Sequence, residues 1–197
     1  MSTEVNYKNR SEMFARIISE LCAPWILNIV FFLILGGTIN AWQPGIVAAL
    51  GTGVVPMMLI LGLMKLGRVG NHHVTTRSQR GIVFAGIIIC VIALLLVLRT
   101  LETPQIIWAG VFSALVFLAL FAAVTVKIKA SVHVGLWVCL VTFLGLTISA
   151  WWFVGLFFTP VTAWARMRIK HHTLPEICAG AVSGAVATVL CYLFILT

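Results

Sequence analysis

The sequence predicts an all-α, polytopic bundle of six or seven transmembrane helices with an N-terminal interfacial helix. Three observations carry this. The 197 residues are 61% hydrophobic and only 9% charged. The mean hydropathy of +1.12 lies far outside the soluble globular range, so the solvent is a bilayer. All five histidines and twelve of the thirteen Lys/Arg fall in four short polar segments between long apolar runs. Those segments are the N-terminus to about Arg16, then Lys65 to Arg80, Lys127 to His133, and Arg166 to Glu176. Each intervening run is long enough to cross twice, which brings all four segments to one face.

Residues 1–22 read as a polar, amphipathic interfacial segment and 23–197 as one transmembrane domain. The first twenty residues lack an apolar stretch and a small-residue cleavage site, so no cleavable signal peptide is expected. In 11–21, Met13, Phe14, Ile17, Ile18 and Leu21 share one helical face, with Ser11 as N-cap and Pro24 beyond. The first span is expected at Trp25–Ala41, an uncharged turn at Trp42-Gln43-Pro44-Gly45, and the second span at Ile46–Met64. The third follows at Gly81–Leu98 and the fourth at Gln105–Val126, joined by Arg99 to Pro104.

Residues 134–165 admit two readings. A single helix would be about 48 Å long, against a hydrocarbon core of about 30 Å, and would send the next basic loop to the opposite face. Two shorter helices meeting near Ser149–Trp151 keep the basic loops together, and we favour that hairpin. The last span is expected at Ile177–Leu196. Its Gly180-Ala-Val-Ser-Gly184 run is a small-residue face for close helix packing.

The charge asymmetry places the N-terminus and basic loops in the cytoplasm of a multi-pass cell-membrane protein. It also accounts for the net charge of +8 without nucleic acid. Cys22, Cys90, Cys139, Cys178 and Cys191 are scattered and form no CxxC, so they read as small buried hydrophobes. The tryptophans fall mostly near span ends, as interfacial anchors. The chain has no aspartate. That excludes sites in which paired Asp carboxylates hold Mg²⁺ around a diphosphate, and no metal or other cofactor is expected.

A membrane protein that gathers Arg, Lys and His at one face has built a place for an anion, most plausibly phosphate. In the last polar segment, His172 and Glu176 are four apart at a helix start. A carboxylate on one imidazole nitrogen fixes the tautomer and leaves the other lone pair available. A helix N-terminus also favours a phosphate dianion. His133 is placed to act as a general acid, and Ser131 and nearby amides to donate to phosphate oxygens. His73 and Arg80 close the first basic loop.

Three patterns recur in order: His73-x6-Arg80-Gly81, Ala130-Ser131-Val132-His133, and Ala165-Arg166-x5-His172-x3-Glu176. They resemble the three motifs of the type 2 phosphatidic acid phosphatase superfamily, Lys-x6-Arg-Pro, Pro-Ser-Gly-His and Ser-Arg-x5-His-x3-Asp. The surrounding text looks like a divergent bacterial branch, and the resemblance runs from about Lys65 to Gly184. It implies an integral membrane phosphatase that hydrolyses a lipid or polyprenyl phosphate or diphosphate without metal. His172 would form a phosphohistidine, oriented by Glu176. His133 would protonate the leaving alcohol and later activate water. Arg80 and Arg166 would clamp the phosphate, assisted by Ser131, with His73 and Lys129 contributing. Arginine suits this role because its planar fork matches phosphate geometry.

Five departures stand out. His73 replaces Lys, Val132 replaces a Gly whose backbone should approach phosphate, Ala130 and Gly81 replace prolines, and Glu176 is one methylene longer than Asp. They motivate a second function class, a family member that binds or transports a phosphorylated lipid without turnover. A third class, a metal or haem protein, has little support because no two histidines lie four apart on a helix. His72 and His171 read either as interfacial hydrogen-bonding groups or as site contacts. Arg77, Arg168 and Lys170 read as topology signals or headgroup contacts.

Overall fold

A computed structural model describes residues 7–197 other than 73 and 75. Every regular element among them is helical. Helix α1 (Tyr7–Leu21) turns its large apolar side chains outward: Met13, Phe14, Ile17 and Leu21 are exposed. Its opposite stripe of small residues, Ala15 and Ser19, continuing to Cys22, is buried. Helix α2 (Pro24–Thr38) starts after a 49° bend, with Pro24 in the first turn where no N–H is missed.

The first turn of the chain differs from expectation. Residues 42–45 open helix α3 (Trp42–Ala49), and the reversal occurs at Ile39–Ala41 instead. Asn40 takes the left-handed conformation there (φ 54°), which its short polar side chain tolerates. Pro44 lies in the first helical turn and so breaks no hydrogen bond. A π-helical turn, Leu50–Val54, joins α3 to α4 (Val55–Lys65). Pro56 explains it, since it has no N–H for the carbonyl of Thr52.

Helix α4 ends at Gly67, whose φ of 67° makes a left-handed cap, with Arg68 N–H donating to Leu63 O. Helices α5 (Arg80–Arg99) and α6 (Gln105–Thr125) follow as expected. The segment 134–165 doubles back. Helix α7 (Val132–Thr147) stops at Ile148–Ser149, and a 3-10 helix, Ala150–Phe158, returns into α8 (Thr159–Arg168). Trp137 Nε1 donates to Gly155 O at 3.1 Å across this hairpin. At about 2.0 Å per residue, the 3-10 stretch rises about 18 Å and α8 about 15 Å more. This is how a short segment gains length.

Helix α9 (Leu174–Cys191) continues through a terminal π-turn, Tyr192–Leu196. It packs most extensively on α7, which is the buried centre of the bundle, and on α6. A Cβ on Gly180 would strike Ser131 O, and one on Gly184 would overlap Gly135 O. Four helical stretches are long and apolar enough to cross a membrane, or five if α1 and α2 form one bent span. They are Trp42–Lys65, Arg80–Arg99, Gln105–Thr125 and Leu174–Leu196.

Candidate functional site

The ends of α5, α7, α8 and α9 converge, and each brings one polar residue. Arg166 closes α8 and is 1% exposed. Its carbonyl accepts the N–H groups of His171 (3.1 Å) and His172 (3.3 Å), so the chain wraps back around the helix end. Lys170 makes that turn with a positive φ of 58°. The Arg166 guanidinium donates from Nη1 to Ser19 Oγ of α1 at 2.5 Å and approaches His133 Nε2 at 3.5 Å. Its Nε is buried with no hydrogen-bond partner among the described residues.

His133, in the first turn of α7, is fully buried. Just before it, Ser131 is pinned by its backbone. Its N–H donates to Glu176 O (2.9 Å) and its carbonyl accepts from Gly135 N (3.0 Å). The Ser131 hydroxyl does not cap its own helix, and its buried Oγ has no partner among the described residues. Arg80, at the start of α5, is 5% exposed and lies over the Phe121 ring at 5.4 Å. It donates to Val74 O (3.2 Å), Ala130 O (3.4 Å) and Thr125 Oγ1 (3.5 Å).

His172 sits where these groups meet. Its Nδ1 lies 3.1 Å from Lys129 O and 3.4 Å from Glu176 Oε2. A carbonyl only accepts, so Nδ1 carries the proton and Nε2 carries the lone pair. Burial, then the charges of Arg166, Lys129 and Arg80, push the imidazole pKa down to about 3. The ring is therefore neutral at neutral pH, and its contact with Glu176 is not an ion pair. Glu176 itself completes a capping box: its Oε2 accepts from Thr173 N at 2.9 Å. The closer orienting contact on His172 is thus the Lys129 carbonyl.

Of the residues singled out in the sequence, Arg80, Lys129, Ser131, His133, Arg166, His172 and Glu176 all belong to this cluster. His73 lies outside the described residues. Lys129 does not point an unoccupied ammonium at the centre; its Nζ donates to His171 O at 3.0 Å, which ties the second and third polar loops together. Two members come from α1 and were not foreseen. Ser19 holds Arg166, and Glu20 lies 3.2 Å from His72 Nε2. Their signal was the small-residue stripe on the side of α1 opposite its apolar face; Ser11 and Ser19 on that side accept from Arg168 and Arg166 of α8.

The electrostatic balance is lopsided. Arg166 is buried with no carboxylate within ion-pair distance among the described residues, and Glu20 acts on it only at longer range. A buried cation without a local counter-charge is costly unless an anion completes it. Among the described residues no three His, Cys or Glu side chains converge to hold a metal. Comparison with protein-family models, curated proteins and solved structures finds no match to this chain.

Proposed function

We propose that this chain is a membrane phosphohydrolase of the type 2 phosphatidic acid phosphatase kind, acting on a lipid or polyprenyl phosphate or diphosphate. One observation carries the reading. A neutral, buried imidazole with its Nδ1 proton committed to a carbonyl stands among two buried arginines and a serine hydroxyl that has no partner among the described residues. Such an imidazole is a nucleophile, and guanidinium groups stabilise the charge on a transferring phosphoryl group.

In the proposed reaction, His172 Nε2 attacks phosphorus and the bond to the alcohol oxygen breaks. His133 supplies the proton that the departing alkoxide needs. Water then attacks the phosphohistidine, giving its proton back to His133 and releasing phosphate and free His172. Arg80, Arg166 and Ser131 hold the phosphate oxygens throughout. Glu176 and the Lys129 carbonyl keep the His172 proton on Nδ1.

The proposed topology has six or seven crossings, with both arms of the 132–168 hairpin in the membrane and the basic ends in the cytoplasm. The outward apolar face of α1 lies along the lipid interface. The deciding experiment is phosphate release in detergent, with EDTA, from a panel of lipid and polyprenyl phosphates. Release by wild type that His172→Ala abolishes supports the reading. No release by a folded protein that still binds the phosphates overturns hydrolysis in favour of lipid binding or transport, the function toward which the motif departures point.

A further inference from the structure

The bundle interior contains a second polar feature, away from the basic cluster. An apolar cavity of about 130 Å³ lies among α2, α4, α5, α6 and α7. A neighbouring cavity of about 110 Å³ shares Pro24, Ile60, His72, Ile87, Leu118 and Val132 as walls and also touches Arg80 and His133. The two cavities therefore adjoin, and the second borders the candidate site.

The deeper wall is not all hydrocarbon. Trp25, Asn28 and Thr52 line it. Trp25 Nε1 and Asn28 Oδ1 are both buried with no hydrogen-bond partner among the described residues. Asn28 is only 8% exposed. Its amide is oriented by chemistry: Pro24 O can only accept, so Nδ2 faces it at 3.0 Å and Oδ1 is the oxygen left over. Trp25 and Asn28 are three apart on α2 and share a face. Thr52 sits opposite, in the π-turn, an irregularity that recurs at functional sites. It donates to Ala48 O at 2.7 Å and keeps acceptor capacity.

A buried donor and a buried acceptor in one apolar cavity call for a ligand group that can match both. A plain hydrocarbon chain matches neither. An ester carbonyl accepts from Trp25, and a hydroxyl donates to Asn28. Trp25 and Asn28 follow Pro24 by one and four residues along α2, and Pro24 borders the cavity beside Arg80 and His133 as well. Because Pro24 is common to both cavities, the part of a bound amphiphile nearest its head meets Trp25 and Asn28 before its chain end does.

We propose that this cavity is the chain subsite of an anionic amphiphile, and that Trp25 and Asn28 select chains joined to the head through an oxygen-bearing linkage over plain hydrocarbon chains. The inference rests on the phosphate-site reading for the head end.

The test is equilibrium binding to the full chain in detergent. The probes are oleoylglycerol phosphonate and octadecenyl phosphonate, neither of which can be hydrolysed, with oleoylglycerol and octadecenol as uncharged counterparts. Wild type should favour the ester-and-hydroxyl probe on the order of tenfold. Trp25→Phe keeps the ring and removes the donor; Asn28→Leu keeps the volume and removes the acceptor. Each should cut the preference several-fold, the two together should bring it near one, and octadecenyl phosphonate binding should be unchanged. Equal affinity for the two phosphonates in wild type, equal loss of both in the variants, or no binding of any probe overturns the subsite. If the uncharged pair binds as tightly as the phosphonates and still shows the preference, the subsite stands and the phosphate-site reading fails.

Discussion

In the proposed reaction His172 can act as nucleophile because its surroundings deny it a second proton. Burial contributes most, and three neighbouring cations add to it, giving the pKa of about 3. In the unfolded chain the ring titrates near 6.5. Between those values the unfolded state binds more protons than the folded one, so folding stability must fall as pH drops from about 6.5 toward 3. Thermal unfolding in detergent should show the midpoint falling over that window, and His172→Gln should flatten the fall. A slope unchanged by the substitution would assign the acid sensitivity elsewhere. Activity should carry no acidic limb from His172 near pH 6, because that ring is already neutral. Glu176 gives a second test. Its carboxylate is farther from Nδ1 than the Lys129 carbonyl is, and it also caps α9. Glu176→Gln keeps a capping-box side chain and removes the charge. The expected outcome is a less than roughly tenfold loss in kcat with an unchanged melting temperature; a loss as deep as that of His172→Ala would make the charge itself indispensable. The His, Arg, Ser and Glu side chains of the three polar loops were legible in the sequence as a set at fixed intervals, whereas Ser19 and Glu20 of α1 were not. The carbonyl that orients His172 was not, because every residue has one.

At the scale of elements, the site depends on how closely α9 approaches α7. Gly180 and Gly184 lie directly against the backbone at Ser131 and Gly135. A methyl group at either position forces the helices apart, and Ser131 and His133 move with α7. Gly184→Ala and Gly180→Ala should each destabilise the protein by about 1–3 kcal/mol, as overpacking does. Each should also depress activity in the fraction that stays folded. Gly62→Ala and Gly81→Ala are the controls, since nothing lies within 4 Å of a Cβ there. They should match wild type or melt slightly higher, given alanine's better helix propensity. Equal melting temperatures for all four variants would remove the packing argument. The small-residue run was legible as a packing face, but its partner was not, since the sequence does not say which helix lies opposite. The 3-10 return was also illegible. Its residues, AWWFVGLFF, read as ordinary apolar helix. Phe153 against Gly145 and Val141 against Gly155 match it to α7, and only the fold supplies those contacts.

At the scale of the molecule, the hairpin decides everything else. The backbone of residues 129–131 bonds to that of residues 171–176 or to its side chains, and Arg80 reaches Ala130 O. The ends of α5, α7, α8 and α9 therefore lie together at one end of the bundle. The sequence pointed to the same gathering through its charges, because twelve of thirteen cationic residues fall in the four polar segments that the expected hairpins would bring together. Bilayer asymmetry acts on charge, and charge is visible without a fold. What it left open was the count of crossings, because α7 alone is shorter than a hydrocarbon core. Single cysteines placed at Arg68, Lys127, Lys170 and Glu102, all exposed, resolve this in a variant lacking the five native thiols. With a membrane-impermeant thiol reagent on oriented vesicles, the first three positions should react from the same side and Glu102 from the other. The reactive side of the first three should be the cytoplasmic one. If Lys170 reacts with Glu102, the hairpin does not cross twice, the shared site cannot form in the membrane, and the hydrolytic mechanism falls with it.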